Sequence, residues 1–172
     1  NPFNYYTLIN LIGLSLFFVS IDICIQYTFG RDIFGFHSTP TRNAGPFGEE
    51  LKGGAFISKL FIPTFTLFYF LSLKSNFYKI VSLLFFILCF TGIILSGERS
   101  ALIIFIISNI LFFIIIFFNY SKKYLFIILS LIIILITLIS LFLNDKLKER
   151  YFVTTFNDIK NYESIINSHY GA

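Results

Sequence analysis

Charged residues are scarce in this sequence. Asp, Glu, Lys and Arg make up 13% of its 172 residues, whereas an ordinary soluble domain carries about a quarter. Hydrophobic residues make up 56% and include 25 Phe, which is more apolar surface than a soluble chain of this length can hide from water. The scarcity of charge excludes an ordinary soluble domain, so lipid or other helices must cover the apolar surface.

Other features are also missing. Methionine is absent, and we expect the chain to be a piece of a longer protein. The first residues lack the basic flank and cleavage site of a signal peptide, so we expect export to depend on transmembrane helices. The two cysteines, Cys24 and Cys89, lie in apolar runs and support neither a disulfide framework nor a metal site. The basic residues behind the formal charge of +4 are scattered between apolar runs, which indicates membrane topology and not a nucleic-acid-binding surface.

Five apolar runs predict five transmembrane helices, because each is close to the ~20 residues that a helix needs to cross ~30 Å of hydrocarbon. The runs cover about residues 5–29, 56–73, 77–95, 101–118 and 124–143. They show no polar and apolar alternation, and irregular backbone cannot face lipid with its N–H and C=O groups unpaired. The predicted fold is therefore an all-α membrane protein, with residues 1–143 forming part of a larger helical bundle.

The basic residues between the runs predict one orientation. Lys74 and Lys79 follow the second run, and Lys122 and Lys123 follow the fourth, with no acidic residue in either short loop. Both loops are therefore expected to be cytoplasmic. The loop 30–55 and the tail 144–172 each balance acidic against basic residues. Five alternating helices then place the N-terminus in the cytoplasm, and the loop 30–55 and the tail on the opposite side of the membrane.

Polar residues occur where lipid should exclude them. Asp22 and Gln26 are four residues apart in the first run, and Ser15 shares their helix face. A carboxylate within a span costs a few kcal/mol, so it has either a partner or a role. A structural hydrogen bond to a neighbouring helix and a place in a functional site both remain open.

The turn Ser96-Gly97-Glu98-Arg99-Ser100 is too short to leave the membrane surface. Glu98 suits the start of a helix, whereas the cation of Arg99 opposes the partial positive charge there. Free N–H groups and a guanidinium together form a good phosphate receptor. The alternative is that Arg99 pairs with Glu98 or with a lipid phosphate.

Further cations lie near the same predicted face. Arg42 lies beside a turn rich in glycine and proline, where it can hold a phosphate or carboxylate bidentately. Lys59, near the outer end of the second run, either extends its ammonium to the interface or binds an anion. Pro63 removes the N–H that would bond to the carbonyl of Lys59 and predicts a kink.

Two sequence blocks resemble the O-antigen ligase and O-antigen polymerase family. The first contains residues 22–27 (DICIQY) and 30–35 (GRDIFG), followed by Arg42 with residues 45–50 (GPFGEE) and Gly54. The second, residues 96–101 (SGERSA), is similar to the family element that opens a transmembrane helix. The resemblance covers about residues 20–105.

The resemblance implies an enzyme of lipopolysaccharide biosynthesis, a multi-helix glycosyltransferase of the bacterial inner membrane. It would transfer glycan from an undecaprenyl-diphosphate donor at the periplasmic face, without metal or other cofactor. The acceptor is lipid A-core for a ligase and a second lipid-linked glycan for a polymerase, and both remain open. The resemblance implies that Arg42 and Arg99 bind the donor diphosphate, and we place Asp22, Gln26 and Glu98 as supporting residues. This piece alone is expected to be inactive.

The catalytic base implied by the resemblance is a histidine in a large periplasmic loop. The tail 144–172 looks like the start of this periplasmic loop and contains His169, but the family's histidine lies further along its loop, so we leave the base unassigned. His37, in the loop 30–55, is interpreted as a solvated loop residue.

Two other classes remain as alternatives. A transporter or flippase for a lipid-linked or anionic substrate would also use an intramembrane Asp22 and outer arginines. Such a protein should contain an internal repeat, and the five runs show none. A noncatalytic membrane subunit would leave the arginines without a common target.

Overall fold

The structure is a computed structural model that describes residues 5–39, 41–119, 135 and 148–160. Four long α-helices account for most of it: α1 (Tyr5–Phe29), α2 (Gly53–Ser72), α3 (Asn76–Ser96) and α4 (Arg99–Asn119). A short 3-10 helix, Gly45–Glu50, precedes α2, and residues 148–160 are helical, beginning with a π-helical turn at Glu149–Val153. The described ranges contain no β-strand, which confirms the predicted all-α class.

Three of these helices, α1, α2 and α3, are long and apolar enough to cross a membrane. Helix α4 is also apolar and has 21 residues. The predicted fifth span, 124–143, lies outside the described residues, apart from residue 135. The chain is therefore an all-α protein with three membrane-spanning candidates, and five spans remain a prediction.

The start of α2 differs from its predicted position. The helix begins at Gly53, whereas the apolar run predicted a start near residue 56. A Cβ on Gly53 would lie 2.5 Å from the carbonyl oxygen of Ala44, and a Cβ on Gly54 would collide with Ser96 Oγ. The two glycines therefore allow the first turn of α2 to pack between the preceding loop and the end of α3, and the helix then continues through Pro63.

Helix α2 is the centre of the bundle and packs against α1, α3 and α4. Its Phe61 is fully buried, and the ring lies 4.6 to 5.7 Å from four other phenylalanine rings, measured between centroids. These rings belong to Phe65, Phe85, Phe86 and Phe105. Because lipid tails are as apolar as these side chains, close packing and not escape from water holds such helices together.

The outward surface of the bundle is also apolar. On α4, four large side chains at helical spacing are exposed, namely Ile103, Ile107, Ile110 and Ile114. A continuous face of this kind is unfavourable in water and suits contact with lipid.

The turn after α3 fixes the geometry of the candidate site. Gly97 ends the helix in the left-handed conformation (φ 71°), and any Cβ there would collide with the carbonyl oxygen of Thr41. Asn43 donates from its backbone N–H to Ser96 O at 3.1 Å and from Nδ2 to Leu95 O at 2.6 Å. The loop before α2 therefore lies directly on the C-terminal end of α3, which puts Arg42 beside the turn.

Candidate functional site

Three arginines from distant parts of the sequence meet around Gly97. The Cα of Arg42 lies 3.4 Å from the position that a Cβ of Gly97 would occupy. Arg99 is the first residue of α4, two residues after the turn. Arg150, from the helical segment 148–160, donates from Nε to the carbonyl oxygen of Gly97 at 3.3 Å. We call Arg42, Arg99 and Arg150 the arginine cluster.

Arg150 is the buried member of the cluster. Its exposed fraction is 9%, and its Nη2 is buried without a hydrogen-bond partner among the described residues. Burial lowers the pKa of Arg150, and the positive charges of Arg42 and Arg99 lower it further. An arginine nevertheless stays protonated in proteins. The site therefore holds a buried cation with an unsatisfied donor, close to two further cations.

Arg99 reaches across to the same helical segment. Its Nη1 donates to Thr155 Oγ1 at 3.0 Å and forms an ion pair with Asp158 Oδ2 at 2.9 Å. The Asp158 side chain is 64% exposed, and an ion pair this open to solvent contributes little stability. Arg99 therefore pairs with Asp158 and not with Glu98.

Glu98 lies at the start of α4, as expected, but its side chain caps a different helix. Its buried carboxylate accepts hydrogen bonds from the backbone N–H groups of Gly54 and Ala55, both at 3.0 Å. The side chain thus caps the N-terminus of α2, where a negative charge is favourable. At the start of α4, Glu98 contributes its backbone carbonyl oxygen, which accepts from the N–H of Leu102. The sequence associated Glu98 with the start of its own helix, because a cap that joins segments so far apart leaves no local pattern.

The charge of Glu98 is coupled to the cluster. Burial raises the pKa of its carboxyl, whereas the N–H groups of Gly54 and Ala55 and the charges of Arg42 and Lys59 lower it. The carboxylate oxygens are already engaged by α2. Among the residues that the structure describes, Arg42 and Arg150 form no ion pair with a carboxylate.

The segment 148–160 is held in place by Tyr151. The hydroxyl of this half-buried side chain donates to the carbonyl oxygen of Ile94 at 3.0 Å, and burial raises the pKa of this phenol. This anchor brings the adjacent Arg150 to the turn. The sequence interpretation missed Arg150, because it was counted only among the balanced charges of the tail. The available signal was that Arg150 is the single arginine of residues 144–172.

Asp22 and Gln26 bind loop backbone instead of joining the cluster directly. Asp22 Oδ1 accepts from the N–H of Ile33 at 2.8 Å. Gln26 donates from Nε2 to Phe36 O at 3.2 Å and accepts at Oε1 from the N–H of Gly45 at 2.9 Å. Both side chains are buried. They hold the loop after α1 against that helix, and Gln26 thereby fixes the backbone three residues beyond Arg42.

The remaining predicted residues lie apart from the cluster. His37 is exposed in the loop after α1, and His169 lies outside the described residues. Within the part of the chain that is described, no group of three or more His, Cys, Asp or Glu side chains could hold a metal ion. The positively charged groups around Gly97 therefore define the candidate site, and they suit an anion.

No family model, no curated protein and no solved structure matches this chain. The resemblance to the O-antigen ligase and polymerase family stays a prediction. The function is therefore inferred from the arginine cluster and from the apolar helices that carry it.

Proposed function

We propose that this chain is part of an inner-membrane glycosyltransferase of the O-antigen ligase or polymerase type, and that its arginine cluster binds the diphosphate of an undecaprenyl-diphosphate-linked glycan. The observation that carries the proposal is the convergence of Arg42, Arg99 and Arg150 on the turn between two apolar helices. In a polyprenyl diphosphate, the charged diphosphate lies at the membrane surface, where such helices end, and the apolar chain lies in the membrane.

The charge balance of the cluster supports an anionic ligand. Glu98 is engaged by the first turn of α2, and Asp158 neutralises Arg99 only through a solvent-exposed contact. A phosphate oxygen would give Arg150 Nη2 the acceptor that it lacks within the described part of the chain. Hydrogen bonds to charged groups contribute about 1.5–3 kcal/mol each, and guanidiniums bind phosphate bidentately.

The proposed reaction is a displacement at the anomeric carbon of the donor sugar. An acceptor hydroxyl, on lipid A-core or on a second lipid-linked glycan, forms the new glycosidic bond. The bond between the anomeric carbon and the diphosphate oxygen breaks, and its electron pair stays with the diphosphate. The hydroxyl proton passes to a base, which we assign to no described residue. The arginines stabilise the charge that develops on the leaving diphosphate, by a few kcal/mol each where they are preorganised and dry.

A transporter fits these observations less well. Secondary transporters bind substrate near the middle of the bilayer, between interrupted helices. The arginine cluster lies instead where α3 ends and α4 begins. Asp22, the intramembrane carboxylate that a transporter would use, accepts a hydrogen bond from the backbone of Ile33.

We place the cluster at the periplasmic face, because Lys74 and Lys79 lie at the opposite end of α3 from Gly97. Single cysteines at Thr41 and Asn76 test this orientation after Cys24 and Cys89 have been replaced by serine. A membrane-impermeant thiol reagent added to intact cells should label the cysteine at position 41 and not the one at position 76. The opposite labelling would invert the topology.

The proposed function is tested by Arg99 substitutions in the full-length protein, with glycan transfer measured from purified donor in liposomes. Arg99→Ala removes a transition-state contact worth ~3–4 kcal/mol and should slow transfer by roughly two to three orders of magnitude. Arg99→Lys keeps the charge without the planar fork and should lose most of the transfer.

Arg31 supplies the matched control, since it is an exposed arginine in the loop after α1. Arg31→Ala and Arg31→Lys should transfer at the wild-type rate. Protein amount is measured in parallel, and near-normal transfer by Arg99→Ala would contradict the proposed function.

A further inference from the structure

Helices α2 and α4 leave a groove between them with a volume of about 830 Å³. Its lining runs from Ser58 to Phe70 on α2 and from Ile104 to Ile115 on α4. Both helices run in the same direction away from the cluster, and the eleven steps from Ile104 to Ile115 at ~1.5 Å each give a length of roughly 16 Å. The groove is therefore long and narrow and follows the helix axes.

The two ends of the groove differ in chemistry. Lys59 is exposed at the end nearest the start of α2, and its charge acts on Glu98 beside the arginine cluster. Further along, the lining is mainly apolar and includes Ile62, Leu111 and Ile115. A ligand that fits this arrangement has an anionic head and an apolar chain.

We propose that this groove holds the first isoprene units of the donor's polyprenyl chain, while Lys59 and the arginine cluster hold the diphosphate. This inference rests on the proposed function and adds to it the part of the site that recognises the lipid. We assign the groove to the donor because of charge complementarity, since Lys59 lines the groove and interacts with Glu98, which caps α2 beside the arginine cluster.

The groove acts mainly by orienting the donor. A chain gains little hydrophobic free energy on leaving lipid for a protein groove, because the two surroundings are equally apolar. Shape complementarity along α2 and α4 instead fixes the direction in which the diphosphate enters the cluster. Filling the groove should therefore weaken the use of a long-chain donor and leave a donor with a very short chain unaffected.

The test compares two tryptophan substitutions at adjacent positions of α4 in the full-length protein. Ser108 lines the groove, whereas Ile107 is exposed and does not line it. Transfer is measured from the same glycan diphosphate on a full-length polyprenyl chain and on a single isoprene unit. Ser108→Trp should raise KM for the long-chain donor by about tenfold and leave KM for the short-chain donor unchanged, and Ile107→Trp should change neither value.

Equal KM values for Ser108→Trp and Ile107→Trp with the long-chain donor would overturn the groove proposal. The proposed function would survive that result if Arg99→Ala lost transfer from both donors. The proposed function would fail if the wild-type protein transferred glycan from neither donor.

A photoreactive benzoylphenylalanine at Ser108 identifies the occupant in vesicles that contain phospholipid and polyprenyl diphosphate, whether or not transfer is detected. Cross-linking to the polyprenyl chain supports the proposal. Cross-linking only to phospholipid, or to another segment of this chain, overturns it.

Discussion

The C-terminal half of α1 and the turn at Gly97 are both buried polar regions, but their side chains differ in charge and in their partners. Asp22 and Gln26 bind backbone groups of the loop that follows their own helix. In the arginine cluster, three cations lie together, and Arg150 retains an unsatisfied buried donor among the described residues. Asp22 Oδ2 is also buried without a partner among the described residues, but an unpaired carboxylate oxygen does not attract an anion. The region on α1 therefore differs from the cluster in the sign of its charge, and only the cluster suits an external anion.

This comparison shows that an ionisable residue in an apolar run does not by itself mark a binding site. A buried carboxylate whose partner is backbone stabilises the fold, so its loss should change stability. A buried cation beside other cations costs stability until an anion arrives. Substitutions in the two regions should therefore have separable effects on stability and on ligand binding.

Within this comparison of the two regions, the largest expected effect is at Arg150. Arg150→Met keeps much of the side-chain volume and removes a buried charge that two neighbouring arginines disfavour. Transfer should fall by about a hundredfold or more, while the unliganded protein should be more stable by ~1–2 kcal/mol. Transfer in liposomes and thermal unfolding in detergent measure the two quantities. A less stable protein with normal transfer would show that Arg150 has only a structural role.

Glu98 shares a feature with each region, because its carboxylate binds backbone N–H groups, as Asp22 does, and lies beside the arginine cluster. Glu98→Ala leaves two buried N–H groups without their acceptor and should cost ~2–4 kcal/mol of stability. Glu98→Gln retains one acceptor oxygen and should cost less. Thermal unfolding in detergent compares the two variants, and an unchanged Glu98→Ala protein would contradict the assigned cap.

The pH dependence of stability follows from the same residue. Burial raises the pKa of Glu98 in the folded protein above its unfolded value. The folded state then binds the proton more tightly, so the stability contribution of Glu98 falls as pH rises from the ordinary glutamate pKa through the raised one. Glu98→Gln should remove this slope, and a slope that persists in this variant would assign it to another group.

Asp22 should respond in the manner of a structural residue. Asp22→Leu removes the acceptor of the Ile33 N–H and should destabilise the protein by ~1–3 kcal/mol. Asp22→Asn retains an acceptor oxygen and should be nearly neutral. Neither variant should change KM for the donor in protein that remains folded, and a raised KM for Asp22→Asn would move Asp22 into the binding site.

The smallest expected effect is a gain in donor affinity. Asp158 competes with a bound anion for Arg99, but its side chain is largely exposed and such a contact contributes ~0.5 kcal/mol. Asp158→Asn should therefore tighten donor binding by about twofold. Weaker binding by this variant would show that Asp158 positions Arg99 for the donor.

Much of the helical framework could be predicted from the sequence, because an apolar run of sufficient length is a local property. The start of α2 could not, since Gly53 and Gly54 are helical only where Ser96, Glu98 and the loop before α2 surround them. Polar residues within apolar runs were also visible. Their partners could not be predicted, because Asp22 binds the backbone N–H of Ile33, and a backbone group is not revealed by the residue type at its position.

The candidate site was predictable in part. Arg42 and Arg99 lie beside turns that contain glycine, and they were identified from local sequence and from the family resemblance. Arg150 follows α4 by some thirty residues and reaches Gly97 through the anchoring hydroxyl of Tyr151. Such a tertiary contact leaves no periodic pattern in a single sequence.

The most direct measurement is equilibrium binding of polyprenyl diphosphate to the full-length protein in detergent, for the wild type, Arg150→Gln and Asp22→Asn. Loss of a charged contact at the cluster should weaken binding by Arg150→Gln at least about tenfold, while Asp22→Asn should bind as the wild type does. Wild-type affinity in Arg150→Gln, or an equal loss in both variants, would contradict the distinction between an anion site at Gly97 and a structural polar region on α1.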